Sequence, residues 1–304
     1  MSAVSPLTTT SFAGQDLRDQ DFTGADLRNA QLSGADLRAC SLRGADLTGA
    51  KLVGARLDGA DLTDCIADDA VFGGANLTEA ILFGAHLHNA SFSGADLREA
   101  DLRAATLDHA RLVDADLTDA WVSEATVTHA DLTGSIVTGA HFRGTDFSHS
   151  SLRQLTGFHR ADWIGVSTMD IDFSGAYLLR REIMDQNYLY EFQNRDKKHA
   201  ALYVVWKATS DCGRSLVRWG AMTMMVALIF AVLYTVVEID YGPNETTLSP
   251  LYFSVVTITT LGYGDVLPTS TVAQILVMFQ VAIGYMMLGG VLSIFATRMG
   301  RRAD

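Results

Sequence analysis

Ala35-Asp36-Leu37-Arg38-Ala39-Cys40-Ser41-Leu42-Arg43-Gly44-Ala45-Asp46-Leu47-Thr48-Gly49 repeats one pattern every five residues, and that period decides the fold of the first half of the chain. From Phe12 to Leu152 every fifth residue is large and apolar, with Ala67 as the one break. From Ala25 on, a small residue stands two places ahead of each. It is alanine as far as Ala140 except at Cys40, Cys65 and Ser135, and then Thr145 and Ser150. A period of five fits neither the 3.6 of a helix nor the 2 of a strand, so these residues form a repeat architecture of their own. After Leu152 the phase moves by one residue. Phe158, Trp163, Phe173 and Leu178 keep the rhythm in the new register, with Ala161 and Ala176 two places ahead, as expected of an irregular coil capping the end.

The Ala-Asp-Leu-x-Gly unit resembles the pentapeptide-repeat family. The resemblance implies that residues 12–179, after a tail at 1–11, form a right-handed quadrilateral β-helix, a solenoid with four repeats to the coil. The Leu and Phe side chains then stack inside and the alanines fit the crowded corners. Roughly seven coils at the ~4.8 Å strand spacing give a rod of about 34 Å. Some soluble members of this family imitate DNA and bind topoisomerases, which the net charge of −12 invites: residues 1–180 hold 25 Asp/Glu and 13 Lys/Arg, the remainder 10 and 10. Arg18, Arg28, Arg38, Arg43, Arg98 and Arg103 interrupt the negative surface, and an aspartate at an exposed corner also serves solubility. No nucleic acid is therefore expected as a partner, although a membrane-anchored binding module built on the repeats stays open as an alternative.

The second half turns on Thr257-Ile258-Thr259-Thr260-Leu261-Gly262-Tyr263-Gly264-Asp265. This stretch lies between two charge-free runs, Trp219 to Val237 (19 residues) and Val272 to Thr297 (26 residues). Each is long enough to cross ~30 Å of hydrocarbon as a helix. Leu248 to Leu261 is uncharged too but cannot span and return, which predicts a re-entrant pore helix, with Ser249 as its cap and Pro250 in its first turn. Lys197, Lys198, Lys207, Arg214 and Arg218 precede the first span, and Arg298, Arg301 and Arg302 follow the second. By the positive-inside rule both termini are expected in the cytoplasm, at a plasma (inner) membrane. The outward connection carries Glu238, Asp240, Glu245 and Asp265, which would gather cations or simply be solvated.

Thr260-Leu261-Gly262-Tyr263-Gly264 resembles the selectivity filter of the two-transmembrane potassium channels. What the resemblance implies is an α-helical pore built as a homotetramer, in which backbone carbonyls of these five residues replace the hydration shell of K⁺. Gly262 and Gly264 supply φ values that a strand lacks, Thr260 adds a hydroxyl, and Leu261 and Tyr263 pack behind the ion path. Thr259, Asp265, Tyr252, Phe253 and Val256 would support the filter, with Tyr252 and Phe253 as the family's aromatic pair. Gly284 stands where the family has a gating hinge, and Gly289 and Gly290 compete for that role or serve close helix packing. K⁺ at the filter is the only metal expected, as permeant ion rather than cofactor, and no cofactor is expected. Leu261 where valine is commoner leaves a weakly selective monovalent cation channel open; Tyr263 argues for K⁺.

These assignments divide the second half into a helical connector or interfacial segment (180–214), an outer span (215–239), a pore helix and filter (249–265), an inner span (272–297) and a short basic tail (298–304). Expected partners are membrane lipid, further copies of the chain and an unidentified cytoplasmic regulator acting through the rod and connector. Met1 to Thr10 has no signal-peptide pattern. No nucleophile elbow, carboxylate pair or phosphate loop points to an enzyme. Cys40, Cys65 and Cys212 lack metal-ligand spacing and are expected to be structural. Seven of the eight histidines, His86 and His88 among them, lie in the repeats and are expected to be spread outward without a cluster.

Overall fold

A residue that precedes a core leucine must expose its own edge to the next coil, and the chain solves this with a ladder of single bridges. In the computed structural model, which describes residues 11–243 and 245–303 and side chains as far as Ala296, these bridges are parallel and join residues 20 apart, from Ser11↔Gln31 to Ile136↔Thr156. Four five-residue repeats thus make one coil. The tail before Ser11 and the side chains of Arg298, Arg301 and Arg302 lie outside the described residues. The chain divides into two compact units, Met1–Tyr190 and Glu191–Asp304.

In the first unit the core residue of each repeat donates its N–H to the next coil, as Leu27 does to Asp46 O at 2.8 Å. The corner alanine donates back to the core residue, as Ala30 does to Leu27 O at 3.0 Å, which closes the turn. From Leu27 to Leu152 the core leucines and phenylalanines and the corner alanines are almost fully buried, Ala67 included. Phe72 and Phe92 stack at 4.7 Å. Where the corner residue is polar its hydroxyl is satisfied: Ser135 donates to Leu112 O at 2.6 Å and Thr145 to Val122 O at 2.8 Å. An unpaired hydroxyl there would cost about 1–3 kcal/mol.

The recurring aspartate has a local cause. Its carboxylate accepts from the backbone two residues on, and from the Thr hydroxyl or Arg guanidinium there: Asp46 with Thr48, Asp131 with Thr133, and Asp16, Asp26, Asp36, Asp96 and Asp101 with Arg18, Arg28, Arg38, Arg98 and Arg103. Such side-chain-to-backbone bonds hold a tight turn. The side-chain forks of Arg18 and Arg28 pull the carboxyls of Asp16 and Asp26 down to about 2.

The phase shift is a single inserted residue. The last bridges, His141↔Asp162, Asp146↔Ser167 and Ser151↔Asp172, are 21 apart, and the extra residue is absorbed in a 3-10 turn at Phe158–Arg160. Gly157 enters that turn at φ 77°, where a Cβ would collide with Thr138. Trp163 then fills the core against Phe142 at 4.5 Å. The expected continuation through Leu178 is corrected by the structure. Helix α1 (Tyr177–Asn194) begins there, Leu178 is 52% exposed, and Leu179 and Ile183 close the core instead.

α1 also finishes the open edge of the last coil. The Gln186 amide accepts from Trp163 N at 2.9 Å and donates to Ala161 O at 3.0 Å. The Asn187 amide accepts from Gly165 N at 2.7 Å and donates to Trp163 O at 3.0 Å. Two side-chain amides thereby take the place of the next rung, the kind of cover a sheet edge needs.

The histidines are also corrected. One coil is 20 residues here, so His109, His129 and His149 fall at the same position of successive coils and stack with ring centroids 4.7 and 4.8 Å apart, while His88, one position off, meets His109 edge-on at 5.3 Å. His141 stacks on Trp121 at 4.1 Å on another face. The rings lie side by side instead of converging, and no metal-binding group occurs among the described residues.

In the second unit, α2 (Lys197–Ser210) starts on the Asp196 carboxylate, which accepts from Lys198 N and His199 N. Asp211, Cys212 and Gly213, all at positive φ, turn the chain into α3 (Leu216–Tyr234), capped by Ser215. α3 ends before residue 239. Ile239–Asp240 (β1) instead pairs antiparallel with Leu267–Pro268 (β2), tying the end of α3 to the segment after Gly264. α4 (Ser249–Ile258) carries Pro250 in its first turn, but Ser249 does not cap it; its hydroxyl accepts from Thr246 N at 2.8 Å. α5 (Thr271–Ala303) is continuous. Leu216–Tyr234 and Thr271–Ala296 are long and apolar enough to cross a membrane, with only 17% and 11% of their apolar windows buried.

Candidate functional site

Positive φ is costly for a β-branched residue, yet Thr260 has φ 57°. It opens an alternation: Thr260, Gly262 (49°) and Gly264 (76°) lie at positive φ, while Leu261 and Tyr263 between them do not. Alternation of left- and right-handed residues turns successive peptide units the same way and makes a row of like backbone dipoles. The glycines were legible as needing such freedom; the threonine was not, because nothing in its type announces it.

The segment hangs from the end of α4. Thr260 N–H donates to Thr257 O at 3.0 Å and Leu261 N–H to Val256 O at 3.1 Å. Thr259 stays with the helix, its hydroxyl donating to Val255 O at 2.7 Å. At the far end, the Tyr252 hydroxyl donates to Asp265 Oδ2 at 2.8 Å, a strut from α4 to the residue after Gly264. Phe253 points the other way and is buried against Tyr234, with centroids 4.9 Å apart. The expected aromatic pair therefore splits into a strut and a core residue. Leu261 and Tyr263, expected to pack behind the segment, are 60% and 67% exposed. Beside them a cleft of about 260 Å³ is lined by Phe253, Val256, Thr257, Tyr263, Val277 and Val281. Glu238, Asp240, Glu245 and Asp265 are all exposed.

The three inner-helix glycines have different surroundings. A Cβ on Gly284 would strike the Ile258 carbonyl, and one on Gly290 would strike the Trp219 ring, whose Nε1–H donates to Met287 O at 2.9 Å. Gly289 has open space beside it. Sequence reasoning missed Trp219, a membrane-helix tryptophan, and Gln280, a lone amide in an apolar run. The cysteines hold no ligand set; burial pushes the thiols of Cys40 and Cys65 up to about 12, where they stay protonated.

Comparison with known families agrees with both halves. The family model described as "Ion channel" matches residues 212–301, and that for pentapeptide repeats matches in eight copies over residues 7–38, 40–79, 80–119 and 123–155. The chain therefore joins pentapeptide repeats to an ion-channel domain with two candidate membrane-spanning helices. Among solved structures it is similar to HetL, a pentapeptide-repeat protein involved in heterocyst differentiation regulation from the cyanobacterium Nostoc, with 29% identity over 54% of this chain and 87% of that one at a TM-score of 0.29. It is also similar to a trypsin-treated form of QnrB1, a plasmid-mediated fluoroquinolone resistance protein, with 22% identity over 57% and 90% at a TM-score of 0.38. A pentapeptide-repeat protein of the Arabidopsis thaliana thylakoid lumen matches with 24% identity over 49% and 90% at a TM-score of 0.19. No curated protein matches the chain.

Proposed function

We propose that four copies of this chain surround a common axis and conduct K⁺ selectively through Thr260–Gly264, with α4 as a re-entrant pore helix. The observation that carries this reading is the alternating φ across Thr260, Gly262 and Gly264, the backbone form that can present a row of carbonyls to a dehydrated cation. One chain brings one such row, and a ring needs several. The exposed Leu261 and Tyr263 and the cleft beside them then become subunit contacts, and the four exposed acids gather cations at the outer mouth. Both termini lie in the cytoplasm on the charge argument.

Gating bends α5 at Gly289, the glycine with space beside it, and not at Gly284, which is held against α4. The repeat domain assembles or regulates the pore from the cytoplasm, through α2 and the turn into α3. Native mass spectrometry and K⁺-driven flux into liposomes test these statements together. The full chain should be four-fold and carry flux, and a chain lacking residues 1–190, the first compact unit, should change in assembly or flux. A dimeric or flux-silent full chain contradicts the channel reading; an unaltered truncated chain contradicts the role given to the repeats.

A further inference from the structure

Three polar side chains lie buried where three apolar helices meet. The Tyr234 hydroxyl on α3 donates to Gln280 Oε1 on α5 at 2.6 Å. Gln280 Nε2 donates to Ser254 Oγ at 2.7 Å and to Ser254 O at 3.1 Å on α4. The Ser254 hydroxyl in turn donates to Ala227 O of α3 at 2.6 Å. Gln280 and Ser254 are 0% exposed and Tyr234 is 1% exposed, among Phe230, Phe253, Leu276, Val277 and Ile283.

The chain of donors has one direction. A backbone carbonyl only accepts, so Ser254 O fixes which end of the Gln280 amide is nitrogen, and that leaves Oε1 for the tyrosine. Sliding α4 along α5 breaks these bonds at once, with no water in the hydrocarbon layer to replace them. One helical turn further along both helices, Gly284 meets the Ile258 carbonyl, so the two contacts run in register at 280/284 and 254/258. From the end of α4, the hydrogen bonds from Thr260 to Thr257 and from Leu261 to Val256 carry that position into the filter segment.

We propose that Tyr234, Gln280 and Ser254 are positioning residues for ion selection: they clamp α4 to α5 and so fix the backbone row at Thr260–Gly264. The proposal rests on the potassium-channel reading above. Apolar residues would hold three helices together as well; what directional bonds add is register.

The test measures the K⁺/Na⁺ permeability ratio and the thermal stability of the assembled full chain, for the wild type, Gln280→Leu, and the triple variant Tyr234→Phe, Ser254→Ala, Gln280→Leu. Gln280→Leu leaves buried groups unpaired and should lower both, the ratio by about tenfold. The triple variant leaves no such group, so its stability should return toward wild type while its ratio stays low; it also carries the test where Gln280→Leu fails to assemble. A wild-type ratio in either variant overturns the inference alone. A wild type that does not distinguish K⁺ from Na⁺ overturns the channel reading and this inference with it.

Discussion

A methyl group on Gly284 would run into the Ile258 carbonyl, and one on Gly290 into the Trp219 ring, whereas Gly289 has room. The first two are places where helices touch and the third is where a helix can bend. Gly284→Ala and Gly290→Ala should therefore destabilise the assembled protein by about 1–3 kcal/mol, the usual effect of overpacking. Gly289→Ala should leave stability in place and lower open probability in single-channel records. Stable Gly284→Ala protein, or Gly289→Ala gating like the wild type, contradicts this division. In the sequence, position relative to the filter motif favours Gly284 as the hinge; which backbone or ring approaches each glycine from another helix is visible only in the structure. The same limit applies to the histidines: a spacing of 20 residues puts His109, His129 and His149 in one column, with His88 edge-on at its end, only once the coil length is known.

The β-helix was the most legible element because a strict period of five marks the core positions, and the resemblance to the pentapeptide-repeat family implies the four-repeat coil that the bridges 20 apart display. Its ending was less legible. Leu178 keeps the rhythm, but Tyr177 already starts α1, and Leu179 takes the core position because a helix advances 100° per residue and no longer by coil corners. Gln186 and Asn187 look like ordinary polar helix residues until the open edge of the last coil is set against them. Within the stack, Phe92 rests flat on Phe72 with both rings 0% exposed. Phe92→Ala should cost the repeat unit about 3–5 kcal/mol, read as a lower midpoint in thermal unfolding followed by circular dichroism. A midpoint within a degree of wild type would show that neighbouring rungs collapse into the space.

At the scale of the molecule, an acidic repeat unit precedes a charge-balanced unit with two apolar helices, and both were readable from composition and pattern. The short β1–β2 ribbon was not, since two paired residues on each side leave no periodic signal. Nor was the Tyr234–Gln280–Ser254 chain, whose members are 26 and 46 residues apart and meet only through packing. Selection of K⁺ by the backbone row from Thr260 to Gly264 is the central property proposed for the molecule. The most direct measurement is the reversal potential of the reconstituted full chain in a planar bilayer with K⁺ on one side and Na⁺ on the other. A reversal potential that follows the K⁺ gradient is what the account predicts, and one near zero, or one that follows Na⁺, would contradict it.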